Sequence, residues 1–136
     1  METSLLSRVP SGGTAVDHLA TAAFAWGNLK DMEARLGLVN GVWEICDGYA
    51  DGDFRAVLVV YSPQTLSYGQ LLELLMDWYI SHPEARGREE PVIFYQTVRE
   101  KRLAQATVER SALLLGALKV RMLPFKAFRR EKEERS

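Results

Sequence analysis

Two runs of β-branched and aromatic residues, 41–49 (GVWEICDGY) and 54–61 (FRAVLVVY), stand four residues apart, and the gap contains Asp51-Gly52. An Asp-Gly pair between such runs marks a tight hairpin, because both residue types tolerate positive φ. The chain must therefore place these two strands side by side and antiparallel. Everything else has to be arranged around that pair.

The flanking segments alternate between helix and strand. Residues 21–26 (TAAFAW) are short, apolar and followed by Gly27, which suits a buried strand. From Asn28 the period changes to that of a helix, with Leu29, Met32 and Leu36 on one face, Asn28 as an N-cap and Gly37 as a stop. After Ser62-Pro63, Ser67 and Gln70 form a capping box ahead of an amphipathic helix carrying Leu71, Leu72, Leu75 and Trp78. Residues 92–95 (VIFY) read as a central strand. Thr97 and Glu100 form a second capping box, opening a helix to about residue 115 with Gly116 as its stop, and residues 118–123 read as a last strand. The order β-α-β-β-α-β-α-β predicts an α+β two-layer sandwich with a mixed sheet. Residues 1–19, with Pro10, Gly12 and Gly13, read as a flexible N-terminal arm; residues 20–125 form the domain. Residues 126–136 read as a charged tail that frays or extends as a solvated helix.

Composition excludes several functions. The formal net charge is −1, so the chain as a whole offers nucleic acid no basic footprint. One cysteine and two histidines leave no conventional zinc or iron site, and no metal or cofactor is expected. The spacing of Asp47, Asp51 and Asp53 does not match a calcium loop. Nothing has the length of a membrane span or the form of a signal peptide, and the expectation is a cytoplasmic or organellar-matrix protein, not a secreted one. Cys46 lies in the middle of a strand beside Glu44 and Asp47, which would raise its pKa, and reads as a small buried hydrophobe. Trp26, Trp43 and Trp78 read as core, and His82 as a solvated loop residue.

The stretch Phe24-Ala25-Trp26-Gly27-Asn28-Leu29-Lys30-Asp31-Met32-Glu33 resembles FAxGCFWGVE, the signature of type A peptide methionine sulfoxide reductases. Gly41-Val42 and Gly48-Tyr49 resemble that family's GV…GY pair, and Ala56-Val57 through Tyr61-Ser62-Pro63 its EAVxVxYDP strand. Ser67-Tyr68 with Leu71-Leu72 resembles its SYexLL helix start, and Ile93-Phe94-Tyr95 its IFY segment. The resemblance runs over roughly residues 20–125 and implies the family's fold, with a ferredoxin-like core.

The residues of the family's chemistry do not follow. Those enzymes attack the sulfoxide sulfur with a cysteine thiolate and pass through a sulfenic acid that a second thiol resolves. By the resemblance, Asn28 takes the nucleophile's place and Arg55 that of the glutamate that holds the sulfoxide oxygen. Leu29 and Lys30 replace the aromatic pair that cradles the methyl group. The two tyrosine-bearing loops are replaced by the Asp51-Gly52 hairpin and by residues 86–91 (RGREEP). The resemblance thus implies a catalytically inactive relative, a pseudoenzyme that serves as a binding or structural subunit in a protein assembly. The alternative is a small-molecule binder or non-redox enzyme that reuses the cleft near Asn28, Arg55, Tyr49 and Glu33. A third reading is residual sulfoxide reduction through Cys46. Protein partners are expected; a nucleic-acid contact would have to use Lys126, Arg129 and Arg130 in the tail.

Overall fold

The computed structural model describes residues 19–26, 29–52, 54–83, 90–115 and 119–130. The N-terminal arm to residue 18, Gly27 and Asn28, Asp53, most of the 84–91 loop, the expected stop at Gly116 and the tail from Glu131 lie outside the described residues. The elements are β1 (Ala20–Ala25), α1 (Leu29–Leu36), β2 (Val42–Ala50), β3 (Phe54–Tyr61), α2 (Tyr68–Ser81), β4 (Val92–Tyr95), α3 (Val98–Leu115), β5 (Arg121–Pro124) and β6 (Phe128–Arg130). They form a six-stranded sheet in the order β5-β4-β1-β3-β2-β6. Only β4 and β5 run parallel; the other neighbours are antiparallel, so the sheet is mixed. The fold is α+β, as the order of elements predicts.

The hairpin forms as the sequence requires. Ala50 pairs with Phe54 across the turn, and Asp51 and Gly52 both adopt positive φ, 52° and 93°. Both capping boxes cap, but differently. At Ser67 the box is reciprocal: the Gln70 N–H donates to Ser67 Oγ (3.1 Å) and the Ser67 N–H to Gln70 Oε1 (2.9 Å). At Thr97 the Glu100 N–H donates to Thr97 Oγ1 (3.0 Å), while the Glu100 carboxylate reaches one residue further back to the Gln96 N–H (2.8 Å). Gln96 in turn donates from Nε2 to the Thr21 carbonyl (2.7 Å), which fastens the start of α3 to β1.

Side chains alternate across a strand, so each strand serves two cores. On one face Phe24, Val57, Val59 and Ile93 meet Met32 and Leu36 of α1, Leu71, Leu72, Leu75 and Met76 of α2, and Ala104 and Val108 of α3. On the other face Ala23, Ala50, Ala56, Val92 and Phe94 are buried with none of the described helices over them, packed by Phe54, Leu58, Leu123, Phe125 and Phe128. Among the described residues, helices therefore lie on one side only.

The C-terminal segment corrects the sequence expectation. Phe128–Arg130 is a strand on β2, not a solvated helix or a frayed end, and it carries the sheet past residue 125. Asp51 anchors it: the Asp51 N–H donates to the Ala127 carbonyl (2.9 Å), and Asp51 Oδ1 accepts from the Lys126 (3.0 Å) and Ala127 (3.3 Å) N–H groups. Gly48 allows the close approach, because a Cβ there would collide with the Arg129 carbonyl oxygen and with the Phe128 ring. The last strand of the sequence reading also moves, from 118–123 to Arg121–Pro124.

Candidate functional site

The end of the sheet where β1 hands over to α1 is the place the signature points to. Trp26, 1% exposed, closes the core there; its Nε1–H donates to the Leu75 carbonyl at 3.2 Å. Phe24 pairs with Val57. Two more residues along each strand bring Trp26 and Arg55 to the same level, on the helix-side face. Arg55 therefore occupies the sheet end next to the start of α1, while Asn28 itself lies outside the described residues.

Around Arg55 the strand registers assemble a row. Tyr49 pairs with Arg55 on one side and with Arg129 on the other. The Arg55 guanidinium carbon lies 5.5 Å from the Tyr49 ring centroid and that of Arg129 4.5 Å. Arg55 Nη2 donates to Asp47 Oδ2 at 3.1 Å, and Arg129 Nη2 to the Gly52 carbonyl at 3.0 Å. The second carboxylate oxygen of Asp47 is buried without a hydrogen-bond partner. Of the candidates named from sequence, Tyr49 and Arg55 are thus brought together, and Glu33 stands half-buried on α1. Arg129, considered only as a tail residue, and Asp47 belong to the row as well. The hairpin register could have found Asp47; nothing in the sequence announces Arg129, because the pairing of β6 is visible only in three dimensions.

Cys46 faces the other way. It pairs with Leu58, on the helix-free side of the sheet. Its thiol donates to Glu44 Oε2 (3.6 Å) and accepts from Arg130 Nη2 (2.9 Å), and Arg130 also donates to Glu44 (3.2 Å). Burial pushes the thiol pKa up, Glu44 pushes it further, and Arg130 pulls partly against both. Asp47, expected from sequence to contribute, does not, because adjacent strand residues point to opposite faces. A cysteine nucleophile needs the opposite: a lowered pKa and an open approach.

Of the acidic residues near the hairpin, Asp47 is taken by Arg55 and Asp51 by the backbone of Lys126 and Ala127, while Asp53 lies outside the described residues. His82 is held against the end of α2, its Nδ1 3.3 Å from the Trp78 carbonyl. It borders a groove of about 230 Å³ between α1 and α2, floored by Met32, Leu36 and Leu75, in which Arg35 stacks 5.6 Å from the Trp78 ring. Neither Tyr49 nor Arg55 lines it. Among the described residues, no helix is long and apolar enough to cross a membrane.

No protein-family model matches the chain. Individual relatives do. Peptide methionine sulfoxide reductase A5 of Arabidopsis thaliana is 31% identical over 113 residues, covering 70% of this chain and 44% of that protein. The MsrA of Methanosarcina acetivorans is 30% identical over 115 residues, covering 67% and 60%. That of Thermus thermophilus is 28% identical over 132 residues, covering 79% and 74%. The chain belongs to the type A peptide methionine sulfoxide reductase family.

It is a divergent member, whose single cysteine is Cys46 in the interior of β2, so the cysteine that opens the first helix of the family signature is missing. The fold agrees. Mxr1 of Saccharomyces cerevisiae, solved in complex with Trx2, superposes with a TM-score of 0.63 at 17% identity, covering 87% of this chain and 84% of that one. Methionine sulfoxide reductase A of Corynebacterium diphtheriae gives 0.60 at 16% identity, covering 89% and 69%. The match spans less than two thirds of the Arabidopsis and Methanosarcina proteins.

Proposed function

We propose that this member of the reductase family has given up the reaction and serves as a binding subunit in a protein assembly. The observation that carries the reading is the place of Cys46. Its thiol is on the face of the sheet opposite Arg55 and the start of α1, hydrogen-bonded to Glu44, with a raised pKa. A thiolate is the species that attacks a sulfoxide sulfur, and both burial and a neighbouring carboxylate disfavour it. Arg55 adds to the case. By the resemblance it replaces the glutamate that holds the sulfoxide oxygen, and a guanidinium paired with Asp47 carries the charge opposite to that glutamate's. Meanwhile the helix-side core that frames the old site is intact. That a protein of this fold, Mxr1, is known in complex with Trx2 supports a protein partner for the same architecture.

The test has two parts. In a dithiothreitol-driven assay on a methionine sulfoxide peptide, wild type and Cys46→Ser are expected to be equally inactive; turnover by wild type would overturn the reading. The native mass of the protein, drawn gently from its own cells at its natural level, is expected to exceed that of the lone chain by stoichiometric partners. A monomer of about the chain mass would count against an assembly.

A further inference from the structure

The Arg129–Tyr49–Arg55 row is more than a set of surface charges. Three residues on three adjacent strands are brought into line by two registers, one from the hairpin and one from the strand that the sequence did not reveal. The ring of Tyr49 receives a guanidinium from each flanking strand, at 5.5 and 4.5 Å. Stacking on an aromatic face holds a guanidinium plane in place, so less side-chain entropy is lost when its N–H edge meets a ligand. The row is open to solvent: Arg129 is exposed, and the Arg55 side chain is 46% exposed.

Asp47 is paired with Arg55, and Asp51 spends Oδ1 on the backbone N–H groups of Lys126 and Ala127. Arg129 gives one N–H to the Gly52 carbonyl and meets no carboxylate among the described residues. A guanidinium has five N–H donors in a fixed fork, so Arg129 keeps donors for a ligand even with that contact made. Lys126, exposed on the segment that leads into β6, adds positive charge to the same end of the sheet.

We propose that this row is the recognition surface for an acidic peptide segment of a protein partner, one carboxylate meeting Arg129 and a second lying towards Arg55. The spacing favours two carboxylates over one compact anion. The two guanidinium carbons lie within about 10 Å of each other, given their 5.5 and 4.5 Å to a ring that stands between them. Alternate side chains of an extended peptide point the same way about 7 Å apart, which fits two forks separated by a ring. Carboxylates are the partners that guanidinium forks grip in two-point fashion. The proposal rests on the reading of the chain as a binding subunit and names the chemistry of what it binds.

The experiment uses the full chain and a fluorescein-labelled peptide of alternating aspartate and serine, read by anisotropy at low salt. The same peptide with asparagine for aspartate is the neutral control, and inorganic phosphate is the competitor. The acidic peptide is expected to bind and the amide peptide not. Arg129→Gln should weaken binding about five- to tenfold, as expected for loss of one charge-assisted contact at a partly exposed site. Arg129→Lys, which keeps charge but not the planar fork, should recover only part of it. Arg110→Gln, at an exposed arginine that pairs with Glu73 on the helices, should bind as wild type does. Matching thermal melts establish that each variant is folded.

Equal binding of the acidic and amide peptides would overturn the proposal. So would an unchanged affinity in Arg129→Gln, or displacement of the peptide by phosphate at concentrations comparable with the peptide itself. The two readings fail separately. Sulfoxide turnover would remove the pseudoenzyme and leave peptide binding as observed, whereas absent peptide binding in an inactive protein would remove this proposal alone.

Discussion

The two faces of the sheet are buried by different means. On the helix side, large residues such as Phe24, Val57 and Ile93 interlock with three helices. On the other side three alanines, Ala23, Ala50 and Ala56, make a shallow floor, and Phe54, Phe94, Phe125 and Phe128 fill the space above it. Phe94 sits at its centre, edge-on to Phe54 (5.6 Å) and Phe125 (6.5 Å), and Arg121 covers Phe54 from outside at 5.4 Å. Small residues on a strand let aromatic rings from an irregular segment come close to the backbone. The result is a second core supplied by a hairpin end and a C-terminal strap instead of by helices. It also determines where the chain can bind, because the strap that covers this face delivers Arg129 to the edge of the other.

The sharpest way to break the comparison is to empty each face in turn. Phe24 and Phe94 are both 0% exposed. If both faces are packed cores, Phe24→Ala and Phe94→Ala should each cost about 3–5 kcal/mol in urea denaturation, the range for a large aromatic removed from a close-packed site. A cost for Phe94→Ala well below that of Phe24→Ala would mean that the strap is a loose cover, and the two faces would not be equivalent.

The strap alone can be lifted at Gly48. A Cβ at this position meets the Arg129 backbone and the Phe128 ring, and backbone cannot swing aside as a flexible side chain can. Gly48→Val is expected to cost about 2–3 kcal/mol, typical of forced overpacking, and to detach β6 from β2. Hydrogen exchange should then lose protection at Phe128–Arg130 while β1, β3 and β4 keep theirs. Protection retained at β6 would show that the edge can absorb a side chain and that the strap is held by Asp51 alone.

How far the sequence carries this picture follows from the same contrast. The helix-side face was legible because helical periodicity, the two capping boxes and the Asp-Gly hairpin are local signals, and each formed where the spacing placed it. The helix-free face was not. A three-residue strand such as Phe128–Arg130 is too short to show a period of two, and the charges around it read as solvated tail. The site divides in the same way. Tyr49 and Arg55 are hairpin neighbours and could be paired from the turn; Arg129 reaches them only through β6. At Cys46 the burial and the Glu44 contact were readable, and the Arg130 contact was not. Asp47 is adjacent in sequence but points to the other face, while Arg130, 84 residues away, touches the sulfur.

The faces should also differ in their response to pH. The helix-side cluster holds two buried phenols, Tyr61 and Tyr68. Burial raises the Tyr61 pKa to about 12, with nearby Glu100 contributing, and raises that of Tyr68 as well. The folded state thus keeps protons that the unfolded chain releases near pH 10. Stability is complete below pH 10 and falls as pH rises through that value towards 12. For Tyr61 the loss is on the order of 2 kcal/mol, from roughly two pK units. Tyr61→Phe should flatten this alkaline slope in denaturant midpoints measured from pH 9 to 11. An unchanged slope would assign the alkaline loss to other groups.

The smallest effect tests whether the helix-side face is optimised throughout. Tyr68 is 8% exposed, and its hydroxyl is buried with no hydrogen-bond partner. A hydroxyl taken out of water without a partner costs about 1–3 kcal/mol, a cost that phenylalanine does not carry. The ring packs the same way in either residue, so Tyr68→Phe should leave the helix-side core in place and raise stability by up to about 1 kcal/mol, after allowing for partial relaxation of the site. In a domain of this size that is a rise of roughly 3–5 °C in Tm. A fall in Tm would mean that the hydroxyl is satisfied in solution, with water the obvious donor or acceptor, and the core beside Tyr61 and Glu100 would then be wet. A rise would mean that Tyr68, which lies in the stretch resembling the family's SYexLL helix start, keeps a polar atom that the fold itself does not need.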